Sequence, residues 1–295
     1  MNIATFEIFF KNEALTHLLA SIRMALDEDG TDLTTNAVFP PEAKVKASIV
    51  AKEDSIIAGA SFFPLILEET TRLEPGTYTA AYHHKDGDFV KKGTVILEIE
   101  GNARILMRAE RIMLNFLTHL SGIANLVQAY VKALEGTGVQ LLDTRKTLPC
   151  LRYPEKYAVI LGGGRNHRKN LAELLMLKDN HIDAAGGITP AVTMAREKNP
   201  NTPIEVECRT LEEVSEAAGL AIQRIMLDNM DKSTMEKALN SIPDSIEVEI
   251  SGNVTLETIA DLATVQGRRK PDFISVGRLT HSAPAADFSM YITNA

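Results

Sequence analysis

The hydrophobic rhythm of the chain changes between Ala103 and Gly136. Before that region the apolar segments are short. Val45 to Ala51 (VKASIVA) and Gly76 to Tyr82 (GTYTAAY) alternate with the period of two that marks a half-buried strand. Asp86 to Glu100 (DGDFVKKGTVILEIE) reads as a turn, a short strand, a Lys-Lys-Gly turn and a longer strand, and predicts a hairpin. From Ala103 to Leu134 the period lengthens. Leu106, Ala109, Met113, Leu117, Leu120, Ala124, Val127 and Val131 predict one long helix, which Gly136 and Gly138 stop. Gly122 marks a bend or a close packing point within it.

Beyond Gly136 a strand-then-helix pattern repeats. The apolar runs are Gln140 to Asp143, Leu174 to Lys178, Ile204 to Glu207, Ile225 to Asp228, Ile246 to Ile250 and Phe273 to Val276. Thr210-Leu-Glu-Glu213 and Ser233-Thr-Met-Glu236 fit the capping box that opens a helix. Repeated βα units imply an α/β fold with a parallel sheet, either closed as a barrel or open and doubly wound. No GxGxxG follows the first of these strands, which weighs against a dinucleotide-binding sheet.

Composition narrows the function. With 295 residues, 45% hydrophobic and 24% charged, the chain is long enough for two domains and has an ordinary globular balance. Its net charge of −8 is the wrong sign for nucleic acid or an anionic membrane surface, so neither is expected as a partner. Cys150 and Cys208 form no CxxC pair, which points to a reducing, cytoplasmic setting. Met1 to Asn12 carries no signal-peptide pattern, and the apolar stretch Ala60 to Leu67 is far short of the roughly 20 residues a membrane span needs.

The polar residue that ends each apolar run carries the chemistry. In order these are Asp143 with Arg145 and Lys146, then Lys178 through His181, Glu207, and Asp228 with Asn229. The last two runs end in Glu249 with Ser251-Gly252-Asn253, and in Ser275 with Gly277. Carboxyl ends of barrel strands share one face, where catalytic groups gather. Arg145, Lys146, His167, Arg168 and Lys178 are cationic or can become so, and arginine forks match carboxylate and phosphate oxygens in pairs. Glu207 and Asp228 are hard oxygen ligands suited to Mg²⁺. A pocket with both sets suits a polyanion carrying a phosphate-bound metal. The glycine-bearing turns at Gly162-Gly163-Gly164, Ser251-Gly252-Asn253 and Gly277 allow backbone N–H groups to approach phosphate. For Arg104, Arg108 and Arg111, spacing alone makes a solvated helix face the default.

Two resemblances bear on these residues. The Asp86–Glu100 pattern is similar to hairpins of biotinyl and lipoyl carrier domains, yet it lacks a modifiable lysine in a Met-Lys-Met setting, so it is expected to be scaffold. The second resemblance covers nearly the whole chain. Arg108-Ala-Glu-Arg111, Leu120-Ser-Gly-Ile-Ala124, Asp143-Thr-Arg-Lys-Thr147, Glu155-Lys-Tyr-Ala-Val159 and Asn166-His-Arg168 resemble, in order, the motifs of quinolinate phosphoribosyltransferases. So do Lys178-Asp-Asn-His181, Glu205-Val-Glu207, Leu227-Asp-Asn229, Ser251-Gly252, Ile274-Ser-Val-Gly277 and the acidic segment Asp27 to Thr35.

That resemblance implies an N-terminal α/β open sandwich over residues 1–115, to which residues 280–295 return. It implies an incomplete, seven-stranded type of α/β barrel over 116–279. It also implies a cytoplasmic homodimer, or a hexamer of dimers, with shared active sites. The reaction would join quinolinate to 5-phosphoribosyl 1-diphosphate, giving nicotinate mononucleotide, CO₂ and diphosphate for NAD synthesis. Thr144, Arg145, His167, Arg168 and Lys178 would bind substrate, with Arg111 contributed by the neighbouring subunit. Lys146, Glu207 and Asp228 would be catalytic, the two carboxylates through Mg²⁺, and Ser251, Gly252, Asn253 and Gly277 would surround the 5-phosphate. The chain departs from the family pattern at Leu148 and at Cys150, where glycine is usual. Cys150 is expected to be a small packed side chain rather than a reactive thiol.

Overall fold

The structure, a computed structural model, describes residues 6–294, so the start of the Met1–Asn12 segment and Ala295 lie outside the described residues. The chain divides into two compact units. One takes in residues up to Gln128, Thr147–Gly163 and Leu279 onward; the other holds Ala129–Lys146 and Gly164–Arg278.

The first unit begins with helices and then lays down β1 (Lys44–Ala51), β2 (Ser55–Ile56), β3 (Tyr78–Tyr82), β4 (Phe89–Val90) and β5 (Val95–Asn102). In β1 the alternation holds: Val45, Ala47, Ile49 and Ala51 are buried, and the residues between them face outward to varying degrees. The predicted hairpin does not form. β4 pairs with β2, and β5 pairs with β1 and β3. Asp54 explains the difference, because its carboxylate accepts the Lys92 N–H at 3.0 Å and the Lys91 ammonium at 2.8 Å. The Lys-Lys-Gly turn is thereby tied to the β1–β2 connection instead of folding β4 back on β5. No carrier-type hairpin tip exists here.

A continuous helix follows from Ala103 to Ala133. Gly122 is a close packing point within it, since a Cβ there would overlap the Pro284 carbonyl and come within 3.1 Å of Ala285 Cα. Arg104 and Arg108 are not a solvated face. Arg104 donates to the Phe39 carbonyl at 3.1 Å, and Arg108 pairs with Glu74 at 3.2 Å. Arg111 is exposed and makes no hydrogen bond or ion pair among the described residues.

The second unit supplies β6 (Gln140–Leu142), β7 (Leu175–Leu177), β8 (Ile204–Cys208), β9 (Arg224–Asp228), β10 (Glu247–Ser251) and β11 (Phe273–Ser275). All pair in parallel in the order β6-β11-β10-β9-β8-β7. The first strand lying beside the last is barrel topology, open between β6 and β7. The seventh position is held by a single residue, Arg165, which bridges Leu142 in parallel. The expectation of seven strands is thus met by six strands and one bridge residue, because the glycine-rich segment before Arg165 offers no further apolar residues to extend a ladder. At Thr210 half of the expected capping box forms: its side chain accepts the Glu213 N–H, while the Glu213 carboxylate accepts the Arg209 N–H instead of that of Thr210. At the next helix the cap shifts from Ser233 to Asp231, which accepts the Thr234 N–H. A carboxylate next to the positive helix end is a favoured acceptor.

The chain closes with β12 (Phe288–Asn294), antiparallel to β1, giving the first unit a sheet of order β12-β1-β5-β3. Among the described residues no helix is long and apolar enough to cross a membrane.

Cys150 departs from expectation. It is exposed rather than packed, and its φ of 64° is the left-handed conformation that glycine adopts without strain. A Cβ there costs about 1–2 kcal/mol, partly offset by the greater unfolded-state freedom of glycine. Cys150→Gly is therefore expected to raise the thermal midpoint by about 1–3 °C. A midpoint that falls would show that Cys150 makes compensating contacts.

Candidate active site

Strand alternation builds the site. In β8, β9 and β10, positions two apart face the same side, so Glu205 and Glu207, Arg224, Met226 and Asp228, and Glu247, Glu249 and Ser251 form three tiers. Glu207, Asp228 and Ser251 are the top tier. Together with Lys178 after β7 and Thr144, Arg145 and Lys146 after β6, they line one cavity of about 470 Å³. His167, Arg168, Gly252 and Asn253 line it too. The cationic and carboxylate groups that the sequence scatters over residues 145 to 228 do converge. Gly277 does not line the cavity; Ser275, two residues earlier on β11, does. Arg111 belongs to the other unit.

Asp143, fully buried, organises one wall. Its carboxylate accepts the His167 N–H and the Asn166 side-chain amide, each at 2.8 Å. This draws residues 166–168 to the end of β6. Arg168 donates to the Leu174 carbonyl at 2.9 Å. Burial, and then the like charge of Arg145, press its pKa below the usual guanidinium value. Two guanidinium groups held against their own repulsion are a receptor for an anion. Across the cavity Lys178 donates to Glu207 at 3.1 Å.

The β9 and β10 ends are locked by Asn229, a residue that sequence reasoning noticed but gave no role. Its backbone N–H donates to the Ser251 carbonyl at 3.0 Å, and its side chain donates to Asp228 at 2.8 Å and accepts from Asn253 at 3.1 Å. Asn229, Gly252 and Asn253 all have positive φ. Met176 and Met226 also line the cavity and were not expected there, whereas Glu249 and Ser275, which line it too, were expected at the strand ends without a stated role. Glu249 was expected at the mouth. Instead it is fully buried one tier below, because β10 runs on to Ser251.

The second tier is charged. Glu205 and Glu249 are fully buried, and His167 Nε2 lies 2.9 Å from one and 3.4 Å from the other. Arg224 reaches up from the first tier to within 3.3 Å of Glu249, with its guanidinium stacked on Phe273. Burial opposes a charged His167, but the hydrogen bonds and charges of Glu205 and Glu249 outweigh it and draw the pKa upward. Against that, the Arg168 N–H donates to His167 Nδ1 at 2.8 Å, where a second ring proton would face an N–H. Burial and then Glu249 push Glu205 toward its neutral form, which relieves the excess negative charge.

Glu207 and Asp228, on neighbouring strand ends and open to the cavity, fit Mg²⁺, which commonly takes one or two carboxylates and completes its shell with phosphate and water. Among the described residues the tightest group of potential ligands is instead His167, Glu205 and Glu249. There Arg224 already supplies the cation.

A family model described as quinolinate phosphoribosyl transferase, N-terminal domain, matches residues 32–121, and its C-terminal counterpart matches residues 123–291. The chain is 41% identical over 297 residues to the chloroplastic nicotinate-nucleotide pyrophosphorylase (carboxylating) of Arabidopsis thaliana, covering 93% of this chain and 82% of that one. It is also 41% identical over 270 residues to the probable enzyme of that name in Bacillus subtilis, covering 91% and 90%. Among solved structures, NadC from Streptococcus pyogenes superimposes with a TM-score of 0.87 at 40% identity, over 97% of this chain and 99% of that one. The nicotinate-nucleotide pyrophosphorylase of Francisella tularensis gives 0.88 at 32% identity, again over 97% and 99%. With both family domains matched along its length and its barrel cavity lined as described, this chain belongs to the quinolinate phosphoribosyltransferase family.

Proposed function

We propose that the chain joins quinolinate to 5-phosphoribosyl 1-diphosphate, releasing diphosphate and CO₂ and forming nicotinate mononucleotide for NAD synthesis. The observation that carries this is the single cavity in which Arg145, Arg168 and Lys178 face Glu207 and Asp228. Quinolinate has two adjacent carboxylates, and the two guanidinium groups and the ammonium provide charge and paired donors for them. Glu207 and Asp228 would hold Mg²⁺, which when bound neutralises charge on the diphosphate oxygens. Lys146 donates to the leaving diphosphate as its charge grows. Ser251, Gly252 and Asn253 form a turn whose backbone suits the 5-phosphate, and Gly277, which follows β11 and lies behind the lining residue Ser275 in sequence, is proposed to approach the same phosphate.

In the reaction the quinolinate ring nitrogen forms a bond to ribose C1 as the bond from C1 to diphosphate breaks. The nitrogen becomes cationic. The C2 carboxylate then leaves as CO₂, its electron pair remaining on C2 beside the positive nitrogen until a proton adds there. No base is needed for the attack, so the protein contributes positioning and electrostatics, and positioning alone can lower a barrier by about 7–11 kcal/mol.

The test is a diphosphate-release assay with phosphoribosyl diphosphate and either quinolinate or nicotinate, with CO₂ release followed in the quinolinate arm. Turnover of quinolinate alone is expected; preference for nicotinate would overturn the assignment and favour a related phosphoribosyltransferase.

The free, exposed Arg111 supports a dimer whose sites are completed by the neighbouring subunit. Heterodimers of Arg111→Ala and Arg168→Ala subunits are expected to regain part of the activity that each homodimer lacks, because one of the two sites is then intact. No recovery in verified heterodimers would place each site within one subunit. The two free thiols, with Cys208 buried and its pKa pushed up to about 12 mainly by that burial, support a cytoplasmic location.

A further inference from the structure

The loop that follows β6 carries Arg145 and Lys146 and forms no helix or strand from Asp143 to Leu151. A side chain from the next helix, Arg152–Leu161, fastens its far end. Glu155 is fully buried, and its carboxylate accepts the Leu148 backbone N–H at 3.2 Å through Oε2, with Oε1 2.8 Å from His119 Nε2. A buried carboxylate costs free energy that an apolar side chain in the same place would not, so packing does not account for it. What it holds does. Two more bonds close the same turn: the Leu151 N–H donates to the Leu148 carbonyl at 3.3 Å, and Arg152 Nε donates to Thr147 Oγ1 at 3.4 Å. The helix that bears Glu155 is itself tied down. Tyr157 donates its hydroxyl to the buried Asp86 at 3.1 Å, and Asp86 accepts the Ala60 N–H at 2.8 Å. Leu148 is one of the two departures from the family pattern, yet Glu155 uses only its backbone, so the change of side chain leaves the bond intact.

We infer that Glu155 is a positioning residue, which through the Leu148 N–H holds the loop bearing Arg145 and Lys146 in the shape that receives quinolinate. Leu148 lies two residues beyond Lys146, so the chain itself transmits the constraint. Without the anchor the loop samples other shapes, and apparent affinity falls by the fraction of time that the receptive shape is present. Quinolinate gripped by Arg145 restores that shape and carries Lys146 with it. The loss therefore falls on the KM for quinolinate and not on kcat. This kinetic consequence rests on the proposed reaction; the anchoring of the loop does not.

The experiment pairs kinetics with hydrogen exchange. Glu155→Met keeps side-chain volume and removes the acceptor, whereas Glu155→Gln keeps one acceptor oxygen. Glu155→Met is expected to raise the KM for quinolinate about tenfold, the value of one charge-assisted hydrogen bond, with kcat within about twofold of the wild type. Glu155→Gln is expected to recover most of that loss. A merely structural role would shrink the folded, active fraction, which lowers kcat and leaves KM alone. That pattern, or wild-type kinetics in Glu155→Met, would overturn the inference while leaving the proposed reaction standing. Hydrogen exchange followed by mass spectrometry, in peptides spanning Thr147 to Leu151, needs no variant and no substrate. In the wild type the Leu148 amide is expected to exchange at least about tenfold more slowly than in an unstructured peptide. An unprotected Leu148 amide would show that Glu155 does not hold the loop, and this result decides the matter if Glu155→Met fails to fold. If the wild type turns over no quinolinate, the proposed reaction falls and exchange alone decides the anchoring.

Discussion

Lys146→Ala is expected to lower kcat by about 10²–10³ while leaving the KM for quinolinate nearly unchanged. Lys146 follows β6 at the cavity mouth, where its backbone N–H closes a short turn on Thr144 Oγ1 at 3.0 Å. Diphosphate gains its charge only as the bond to ribose breaks. An ammonium that meets this charge stabilises the transition state more than the bound substrate, and its loss therefore appears in kcat. Steady-state kinetics with each substrate varied in turn separates this from the Arg145 and Arg168 pair, whose contacts with quinolinate exist before the reaction and whose loss appears in KM. A Lys146→Ala enzyme with unchanged kcat and a raised KM for phosphoribosyl diphosphate would assign Lys146 to ground-state binding.

The outer half of this site is legible in the sequence because parallel strands are short and end abruptly. Where an apolar run stops at Glu207 or Asp228, the position of the carboxylate at the mouth follows from strand direction alone. The inner half is less legible. Glu205 lies inside a strand expected to be apolar on both faces, and nothing local says that its neighbour across the barrel is a histidine 38 residues earlier. A signal existed, however. Glu205-Val-Glu207 and Glu247-Val-Glu249-Ile-Ser251 alternate with period two, and in a buried parallel strand that alternation means a polar interior. The hairpin at residues 86–100 failed for a different reason. Its turn is governed by Asp54, more than 30 residues upstream, and a local pattern cannot contain that information. Cys150 is the converse case: the family's glycine at that position already reported a left-handed backbone, and the cysteine adopts it with strain.

Gly252→Ala is expected to reduce folding stability by about 2–3 kcal/mol and to cost activity about tenfold or more, although no catalytic group is removed. Gly252 has a φ of 105°, and a Cβ added to it would lie 2.6 Å from Asn229 Cγ and 2.9 Å from the Asn229 backbone nitrogen. Neither neighbour can yield cheaply. The Asn229 N–H is bonded to the Ser251 carbonyl, directly beyond the register pair Ser251 and Asp228, and its side chain is bonded to Asp228 and Asn253 at once. Moving Asn229 therefore moves Asp228, one of the two carboxylates proposed to hold the metal. Gly186→Ala serves as the comparison, because Gly186 has a φ of 82° but nothing within 4 Å of its Cβ position. That variant is expected to lose only the strain of a left-handed alanine, about 1–2 kcal/mol, and to keep its kcat. Chemical denaturation and kcat for both variants make the distinction. Equal losses in the two would mean that backbone conformation, not the overlap with Asn229, sets the cost, and Asp228 would then be held in place by something other than this turn.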